Sequence, residues 1–512
     1  MTFAELIVPL ESQLDVIERQ GNLHVAVTDV TDDSRLVKPG SLFVAVKGGK
    51  VDGHAYVGQA MQAGASAVVM QAGLSSASES EQGFIPLVPM IRVKDSRRAL
   101  GLLASRLHHD PSLRLAMIGV TGTNGKTTIT YLCKAVLEKA GRQVGIIGTV
   151  AYQIGLERLN ASHTTPGAVE LQALLARMVS AGLDTAVMEV SSHALALDRI
   201  AGCEFDMAIY TNLTQDHLDF HSDMEDYFKA KLCLFTSLRS TGNKPRPKRA
   251  IINADDPRGE RVCKASPVPF WTYSIRSRSD IRAEDVRLSL AGTSFAAVTP
   301  AGRFLVESRL VGEHNVYNIL AAIGVGLQEG LSPDVIREGI HSVVNIPGRF
   351  ERVDAGQDFT VVVDYAHTED ALIRLLGAAQ ALKTGRIITV FGCGGDRDRG
   401  KRPKMGRAAA QQSDLVILTS DNPRSEDPMA ILREVEAGVR EALDPTKPAR
   451  VRYEVIADRR RAIERAVREA KRGDMVLIAG KGHEDYQIIG ANRLHFDDRE
   501  VAREAILHLR DA

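Results

Sequence analysis

Short apolar runs alternate along the chain with longer stretches in which apolar residues recur at helical spacing. Such runs are typical of strands that are buried on both faces of a sheet. They fall at 42–46, 67–70, 91–93, 144–147, 185–188, 207–210, 249–252, 360–363, 386–391, 415–418 and 475–478. Because helical stretches separate the strands, the pattern predicts parallel sheets covered by helices. We therefore predict an α/β protein.

Two breaks in this pattern divide the chain into three predicted domains. The first is His108-His109-Asp110-Pro111, where the residue before proline is disfavoured in a helix. The second is Asn345-Ile-Pro-Gly-Arg349. We expect domains at 1–108, 109–346 and 347–512, the central one a P-loop-type parallel sheet and the last one Rossmann-like. The polar stretch at 75–83 is predicted to be an exposed loop.

The amino-acid composition disfavours nucleic acid and membrane surfaces as binding partners. Lysine plus arginine and aspartate plus glutamate each number 64 in the 512 residues, so no net charge draws the chain to nucleic acid or a membrane surface. A basic, turn-rich segment at 239–249 is a local exception. The five cysteines are scattered without a Cys-x-x-Cys pair, which favours reduced thiols in a cytoplasm. Because we find neither a signal peptide nor an apolar run near the ~20 residues of a membrane span, we expect a cytoplasmic monomer that acts on small molecules.

The segment Gly-Val-Thr-Gly-Thr-Asn-Gly-Lys-Thr-Thr, from Gly119 to Thr128, is the most informative in the chain. It follows an apolar run at 113–120 that is predicted to be a buried strand. A helical pattern from about 127 to 140 comes next, and Gly141 is suited to end it. A glycine loop between a strand and a helix N-terminus directs backbone N–H groups at an anion, so the segment predicts a phosphate site.

Two side chains of this loop fit a nucleotide. Lys126 supplies a charge for the β- and γ-phosphates, and the Thr127 hydroxyl is suited to Mg²⁺. Val120 stands where the usual motif has its first glycine, so this is a variant loop in which Gly119 and Gly122 supply the flexibility.

A dinucleotide site in the last domain is disfavoured. Gly392-Cys-Gly-Gly395 resembles the start of a Rossmann fingerprint, but Arg397 occupies the third glycine position. A side chain there blocks the close approach of the helix, so we expect neither NAD nor FAD.

Candidate metal ligands follow two of the predicted strands. Glu189 lies at the carboxyl end of one strand, where ligands meet an open α/β sheet. The segment Thr211-Asn-Leu-Thr-Gln-Asp-His-Leu-Asp-Phe-His221 is rich in oxygen and imidazole groups. Carboxylates with one imidazole suit Mg²⁺ better than a closed zinc site.

Five ordered motifs resemble those of the Mur ligases, the ATP-dependent enzymes that add amino acids to the UDP-MurNAc peptide of bacterial peptidoglycan. They lie at 121–128, 189–193, 212–219, 312–315 and 364–367. The resemblance extends from about Asp29 to Tyr486. It implies a UDP-MurNAc substrate domain, a central ATP-binding domain and a C-terminal amino-acid-binding domain. It also implies a role in peptidoglycan synthesis, and hence in cell shape and division.

Within that family, Asp421-Asn-Pro-Arg424 resembles the signature of members that add meso-diaminopimelate. An arginine fork can bind the second carboxylate of that substrate, which lysine lacks. Glu484 is suited to the distal ammonium. The family positions for this substrate match Arg397, Asp421, Asn422, Pro423, Arg424, Gly480 and Glu484.

The resemblance implies amide ligation through an acyl phosphate. The D-Glu carboxylate of UDP-MurNAc-L-Ala-D-Glu attacks the γ-phosphate of ATP, and the amine of meso-diaminopimelate then attacks the acyl carbon. The protein must position anions and neutralise their charge. The implied ATP site, in which the C-terminal domain closes over the nucleotide, comprises Gly122, Thr123, Asn124, Gly125, Lys126, Thr127, Thr128, His314, Asn315, Arg349 and Asp364.

The resemblance also implies two Mg²⁺ ions. Thr127 and Glu189 would bind one, and His217 the other. In the family a lysine carbamylated by CO₂ supports the second metal, and Lys231 lies at the matching place. Carbamylation converts a cation into a carboxylate-like anion. The implied catalytic set is Lys126, Glu189, His217 and Lys231, although by itself the sequence would make Lys231 a surface lysine.

The UDP-substrate is expected to meet the first two domains. Thr31-Asp-Asp-Ser34-Arg35 resembles the uridine site, with Ser34 as its main contact. The positions that contact the MurNAc-peptide in the family match Thr164, Thr165, Ser191 and Arg199. Leu197 and the segment at 49–51 depart from the more polar residues of relatives.

Three other interpretations are open on the sequence. Folylpolyglutamate synthase uses the same ATPase core, but the Asp-Asn-Pro-Arg motif and the Ser34 region argue against it. A P-loop ATPase or nucleotide-binding regulator would leave Arg397, Arg424 and Glu484 unexplained. A non-enzymatic structural protein would have no use for so many polar residues at strand ends.

Overall fold

The computed structural model describes residues 1–49, 51–74, 88–238, 243–443 and 451–511. Its first sheet has the order β1-β5-β4-β3-β2, in which only β1 runs antiparallel to its neighbour. The strands are β1 (Val16–Gln20), β2 (Asp29–Thr31), β3 (Ser41–Val44), β4 (Ala67–Gln71) and β5 (Met90–Val93). The accompanying helices are α1 (Phe3–Ile7), α2 (Glu11–Leu14), α3 (Val57–Gln62) and α4 (Ser96–Leu107).

The second sheet has the order β16-β15-β14-β13-β12-β11-β6-β10-β7-β8-β9, with a parallel centre from β14 to β7 and antiparallel edges. The strands are β6 (Ala116–Thr121), β7 (Val144–Ile147), β8 (Tyr152–Ile154), β9 (Glu157–Leu159), β10 (Thr185–Glu189), β11 (Met207–Tyr210), β12 (Arg249–Asn253), β13 (Phe270–Ser274), β14 (Ile281–Ser289), β15 (Gly292–Thr299) and β16 (Gly302–Ser308). The helices are α5 (Lys126–Lys139), α6 (Ala168–Ser180), α7 (Ser192–Ala196), α8 (Met224–Thr236), α9 (Gly259–Ala265), α10 (Glu313–Gln328) and α11 (Pro333–Ser342).

The third sheet has the order β17-β18-β22-β19-β20-β21 and is parallel apart from β17, and a separate hairpin joins β23 to β24. The strands are β17 (Glu351–Arg352), β18 (Thr360–Asp364), β19 (Ile387–Phe391), β20 (Leu415–Leu418), β21 (Arg452–Val455), β22 (Met475–Ala479), β23 (Tyr486–Ile489) and β24 (Asn492–His495). The helices are α12 (Glu369–Leu382), α13 (Lys401–Gln412), α14 (Pro428–Ala442), α15 (Arg459–Glu469) and α16 (Asp498–Asp511).

Burial on both faces explains the continuous apolar strands. In β6, Ile118 and Val120 belong to the core under α5 and α10, whereas Met117 belongs to the core on the opposite face. Alternate residues of a strand point to opposite faces, so a strand covered on both must be apolar throughout. The predicted α/β class is confirmed.

The predicted strands lie close to the observed ones, with small corrections at their ends. The strand expected at 113–120 begins only at Ala116, because Pro111 starts a 3₁₀ turn that continues to Arg114. The helix after the glycine loop begins at Lys126, and Gly141 follows it with φ +83°. The loop expected at 75–83 lies outside the described residues.

Strand order decides where the polar residues meet. The strand β6 lies between β10 and β11 with parallel pairing on both sides, so the segments that follow these strands leave the same edge of the sheet. The glycine loop, Glu189 and the segment from Thr211 therefore share this edge. In open α/β sheets ligands bind at this carboxyl edge.

Candidate active site

The loop between β6 and α5 has the geometry of a phosphate site. Gly122 and Gly125 have φ of +147° and +91°, which L side chains rarely adopt. A Cβ on Gly122 would lie 1.8 Å from Thr211 Oγ1. Lys126 Nζ donates to the carbonyl oxygens of Gly122 and Thr123 at 2.9 and 2.8 Å. The lysine side chain is thus held by carbonyl oxygens of the loop, next to the N-terminus of α5. Backbone N–H groups and the helix dipole attract an anion at such a position.

Glu189 is buried beside this loop with 1 % of its surface exposed. Its Oε1 accepts from the Thr127 hydroxyl at 3.0 Å and from the Thr149 backbone N–H at 2.8 Å. Its Oε2 accepts from the Thr149 hydroxyl at 3.0 Å. The carboxylate is therefore fixed next to the hydroxyl that the sequence assigns to Mg²⁺.

Lys231 on α8 is buried, so its interpretation as a surface lysine is wrong, whereas Lys229 two residues away is exposed. Lys231 Nζ donates to the Gly122 carbonyl oxygen at 2.9 Å and lies 4.4 Å from the centre of the Tyr227 ring. Burial, aided by the charge of Lys126, holds the pKa of Lys231 well below its usual value. A lysine in such a position is readily present as a neutral amine.

His217 follows β11 in a left-handed conformation with φ +55°. Its Nε2 lies 3.3 Å from Asp216 Oδ2, and its ring meets that of His193 edge-on with centroids 4.8 Å apart. Burial lowers the pKa of His217 to about 4, although the Asp216 charge opposes this. The imidazole is therefore neutral near pH 7, which is the form that binds metals.

A cavity of about 440 Å³ lies beside the loop and is closed on one side by residues of the third sheet's domain. This volume is within the range of small-ligand sites. The predicted ATP residues that line it are Asn124, Gly125, Thr127, Thr128, His314, Arg349 and Asp364.

Asn315 is not among the lining residues. It is buried on α10, where its Nδ2 donates to the Val311 carbonyl oxygen at 2.8 Å. Its Oδ1 accepts from Asn318 Nδ2 at 2.9 Å, and Asn318 does line the cavity. Its contact with ATP stays a prediction.

Asp255 is a lining residue that the sequence did not single out. Its carboxylate accepts from the backbone N–H groups of Ile275 and Arg276 and from the Tyr317 hydroxyl, at 2.8 to 2.9 Å. These partners come from two elements, the segment after β13 and helix α10, which are distant from Asp255 along the chain, so local sequence carried no signal for the group.

A second cavity, of about 1020 Å³, begins at Lys126 and extends between the two larger sheets' domains. The predicted residues that line it are Lys126, Thr164, Thr165, Ser191, Arg199, His217, Arg397, Asp421, Asn422, Arg424, Gly480 and Glu484. The structure therefore brings most of the predicted substrate residues together with Lys126, the lysine that is predicted to bind phosphate. Lys401 is a lining residue that was not foreseen, and its Nζ donates to the carbonyl oxygen of His367, the last residue of the motif at 364–367, at 2.9 Å.

The far wall of this cavity comes from the third sheet's domain. Arg424 has φ +52°, and its Nη1 donates to the Gly395 carbonyl oxygen at 2.8 Å. Gly480 has φ +116°, and a Cβ there would lie 3.0 Å from Asp421 Oδ2. Glu484 is held by Asn422 Nδ2 at 2.9 Å. Pro423, between two lining residues, is not itself among them.

The wall of the larger cavity that faces the second sheet contains three of the predicted MurNAc-peptide residues, and hydrogen bonds link them. Thr165 Oγ1 donates to the Glu189 carbonyl oxygen at 2.8 Å and accepts from the Ser191 N–H at 3.0 Å. Arg199 Nη1 donates to the Thr165 carbonyl oxygen at 3.0 Å. Ser34 lies elsewhere, in the first domain, where its hydroxyl donates to Gln59 Oε1 at 3.2 Å.

Two side-chain contacts join the glycine loop to the third sheet's domain. Arg349 Nη2 donates to Thr127 Oγ1 at 3.1 Å, and Asn124 Nδ2 donates to Asp370 Oδ2 at 2.8 Å. Asp370 also accepts from the Thr214 hydroxyl at 3.1 Å. The third sheet's domain therefore contacts the predicted phosphate loop directly.

Fold and site together define a nucleotide-dependent α/β enzyme whose phosphate loop faces a second, Rossmann-like domain. Three family models match the chain: "Mur ligase family, catalytic domain" at 26–108, "Mur ligase middle domain" at 120–326, and "Mur ligase, glutamate ligase domain" at 348–482. The chain belongs to the Mur ligase family.

Curated relatives are similar over nearly the whole chain. A protein of Geobacillus thermodenitrificans is 47 % identical over 490 residues, which is 96 % of each chain. One of Gloeobacter violaceus is 48 % identical over 483 residues, which is 94 % of each. Both are named UDP-N-acetylmuramoyl-L-alanyl-D-glutamate–2,6-diaminopimelate ligase. A solved structure of a protein with that name has a TM-score of 0.69 and 34 % identity, covering 100 % of this chain and 99 % of that one.

Two features are absent from the described ranges. None of their helices is both long and apolar enough to cross a membrane. The same ranges contain no group of three or more histidine, cysteine, aspartate or glutamate side chains that could hold a metal ion.

Proposed function

We propose that this chain is an ATP-dependent ligase that adds meso-2,6-diaminopimelate to UDP-MurNAc-L-Ala-D-Glu in the cytoplasm, a step of peptidoglycan precursor synthesis. One observation carries the proposal. Lys126 of the phosphate loop and the set formed by Arg397, Arg424 and Glu484 line the same cavity. A phosphoryl donor and an amino acid would therefore meet in one cavity.

The reaction needs an activated carboxylate, because a free carboxylate is a poor acylating agent. An oxygen of the D-Glu side-chain carboxylate attacks the γ-phosphorus of ATP, the bond from γ-phosphorus to the bridging oxygen breaks, and ADP leaves. The amine nitrogen of meso-diaminopimelate then attacks the acyl carbon and loses a proton. The bond from the acyl carbon to the phosphate oxygen breaks and releases phosphate. Enzymes favour such steps by positioning the reactants and stabilising developing charge.

In the first step the protein would position the nucleotide and neutralise the charge of its phosphates. The loop from Gly122 to Thr128 would bind the phosphates, with Lys126 on the β- and γ-groups. His314 and Arg349 would bind the nucleotide in the smaller cavity, together with Asp364. Because Arg349 already contacts Thr127, the C-terminal domain would contribute to the phosphate site when closed.

The residues present fit Mg²⁺. Thr127 and Glu189 offer hard oxygen ligands in contact with each other, and His217 offers a neutral imidazole. Bound Mg²⁺ would neutralise phosphate charge and orient the γ-phosphoryl group.

Lys231 is proposed to carry a carbamate, as N6-carboxylysine. The neutral amine that its burial favours is the form that attacks CO₂. The product is an anion in place of a second cation beside Lys126, and it would suit a magnesium ion near His217.

Selectivity for meso-diaminopimelate is assigned to the far wall. Arg424 and Arg397 would bind the distal carboxylate, and Glu484 the distal ammonium. Asp421, Asn422, Pro423 and Gly480 would shape this site. The UDP end would bind Ser34 in a domain at 1–108, and the MurNAc-peptide would contact Thr164, Thr165, Ser191 and Arg199 of a domain at 109–346. The amino-acid site belongs to a domain at 347–512, and we propose that the protein acts as a monomer.

Phosphate release from ATP and Mg²⁺ with UDP-MurNAc-L-Ala-D-Glu tests the proposal. The assay compares meso-diaminopimelate, L-lysine and no amino acid. We expect release only with meso-diaminopimelate. Release with lysine as well would keep the ligase and discard the selectivity argument, whereas release that ignores the amino acid would favour a plain ATPase.

A further inference from the structure

Lys481 is a lysine without any exposed side-chain surface, just after β22. Oxygen atoms surround its ammonium group. Nζ donates to Asn422 Oδ1 at 3.0 Å and to the Tyr486 carbonyl oxygen at 2.6 Å. It also lies 3.3 Å from Asp421 Oδ1 and 3.5 Å from Glu484 Oε2. One buried cation therefore forms ion pairs with two carboxylates at the far wall of the large cavity.

Lys481 is connected to the Glu484 carboxylate in two ways. The first is the direct ion pair. The second runs through Asn422, whose Oδ1 accepts from Lys481 while its Nδ2 donates to Glu484 Oε2 at 2.9 Å. The backbone N–H of Ile488 also donates to Asn422 Oδ1, at 2.9 Å, so the orientation of this amide is fixed.

The surroundings of Glu484 make its charge depend on that cation. The pKa of Glu484 is raised above its usual value by burial and by the Asp421 charge, and the Lys481 charge and the hydrogen bond from Asn422 limit that rise. The other charged or titratable groups that face it are Arg459 on α15, Tyr365 after β18 and Tyr486 on β23. Arg459 is committed to a buried ion pair with Asp498 at 2.7 Å. Among the residues that the structure describes, Lys481 is the cation within salt-bridge distance of Glu484.

We infer that Lys481 is a positioning residue for the amino-acid substrate, which holds the Glu484 carboxylate in place and ionised so that it binds the distal ammonium. This rests on the proposed function and assigns Lys481 no contact with the substrate. A lysine that only stabilised the fold would alter stability without a selective effect on the amino-acid step.

The test is the phosphate-release assay on the full-length protein with Lys481→Met. We expect the KM for meso-diaminopimelate to rise about tenfold or more, since a buried charge loses its partner, while the KM for ATP changes less than about twofold. Removing the cation raises the pKa of Glu484, so the acidic limb of kcat/KM for meso-diaminopimelate should move to higher pH. Lys481→Gln keeps a hydrogen-bond donor without charge and should show the same pH shift, which also provides a test if the Met variant does not fold.

A double-mutant cycle decides whether Lys481 acts through Glu484. In a Glu484→Gln background, Lys481→Met should add less than about twofold to the KM. Additive effects, or an unchanged KM in the single variant, would overturn the inference. Lys248→Met is the matched control, because Lys248 is also buried and pairs with Glu204 and Asp206, each at 2.8 Å, but does not line either cavity. Wild-type phosphate release independent of meso-diaminopimelate would instead remove the proposed function itself.

Discussion

Lys126 and Lys231 donate to the same atom, the carbonyl oxygen of Gly122, each at 2.9 Å. Two lysines on one oxygen repel each other when both are charged, and burial disfavours the charge further. Burial lowers the pKa of both lysines, and the charge of Lys126 lowers the pKa of Lys231 further. This arrangement favours a modification that replaces one cation with an anion.

The first prediction concerns Lys231. Lys231→Ala should lose ligation, because the proposed carbamate disappears, and should regain part of it when short carboxylic acids are added. Phosphate release with and without acetate or formate measures this. Lys229→Ala, an exposed change on the same helix, should leave the rate unchanged. Equal activity of Lys231→Ala and the parent would refute the role.

The second prediction concerns Arg424. Arg424→Met should raise the KM for meso-diaminopimelate about 10- to 100-fold, because a hydrogen-bonded charge pair with the distal carboxylate is worth roughly 1.5–3 kcal/mol. The KM for ATP should stay the same. Steady-state kinetics with each substrate varied in turn provide the measurement.

Arg433 offers the control for Arg424. It lies on α14 with 69 % of its side chain exposed, so Arg433→Ala should leave both constants unchanged. A similar rise in both variants would mean that the effect comes from overall charge rather than from the site.

The third prediction concerns stability. Asp206 is buried, and its two carboxylate oxygens each lie 2.8 Å or less from the ammonium of Lys244 or Lys248. Asp206→Ala leaves two buried cations without their shared partner, so we expect the free energy of unfolding to fall by about 3–5 kcal/mol. Urea denaturation measures the change.

Glu225 provides the comparison for Asp206. It pairs with Arg261 at 2.6 Å on the surface, where both side chains are more than two-fifths exposed. Because exposed pairs contribute about 0–1 kcal/mol, Glu225→Ala should unfold almost like the parent. Two variants of equal stability would contradict the importance given to the buried network.

The fourth prediction concerns closure of the domains. Small-angle scattering should record compaction when UDP-substrate and nucleotide are added together. Asp370→Ala removes the acceptor for Asn124 and Thr214, so the unliganded variant should be more extended than the parent. Asp334 on α11 forms an ion pair with Arg337 at the surface. The Asp334→Ala variant should therefore have the same scattering profile as the parent. An unchanged profile at saturation would count against closure.

Local sequence was sufficient for the strands and for the motifs that follow them. Val144–Ile147, Met207–Tyr210 and Leu415–Leu418 occur as predicted, because a strand covered on both faces must be apolar throughout. The position of Glu189 at a strand end followed from the same pattern. Strand ends were less certain, as at Ala116, where a proline-initiated turn replaces the first residues of the run.

The residues that a pattern could not place are those whose environment comes from distant segments. The basic segment at 239–249 offered no sign that Lys244 and Lys248 turn inward to Asp206, about 40 residues earlier. In the same way, only packing joins Asn124 to Asp370, 246 residues apart.

The sequence by itself determined the α/β class, the phosphate loop and the order of the motifs, since each depends on which residues are neighbours along the chain. The tertiary structure alone decided that Lys231 is buried against Gly122, and that Lys481 lies between Asp421 and Glu484. The reason is physical: hydrophobic periodicity is a local property, whereas loss of water and the approach of charges depend on elements that meet only in the folded protein.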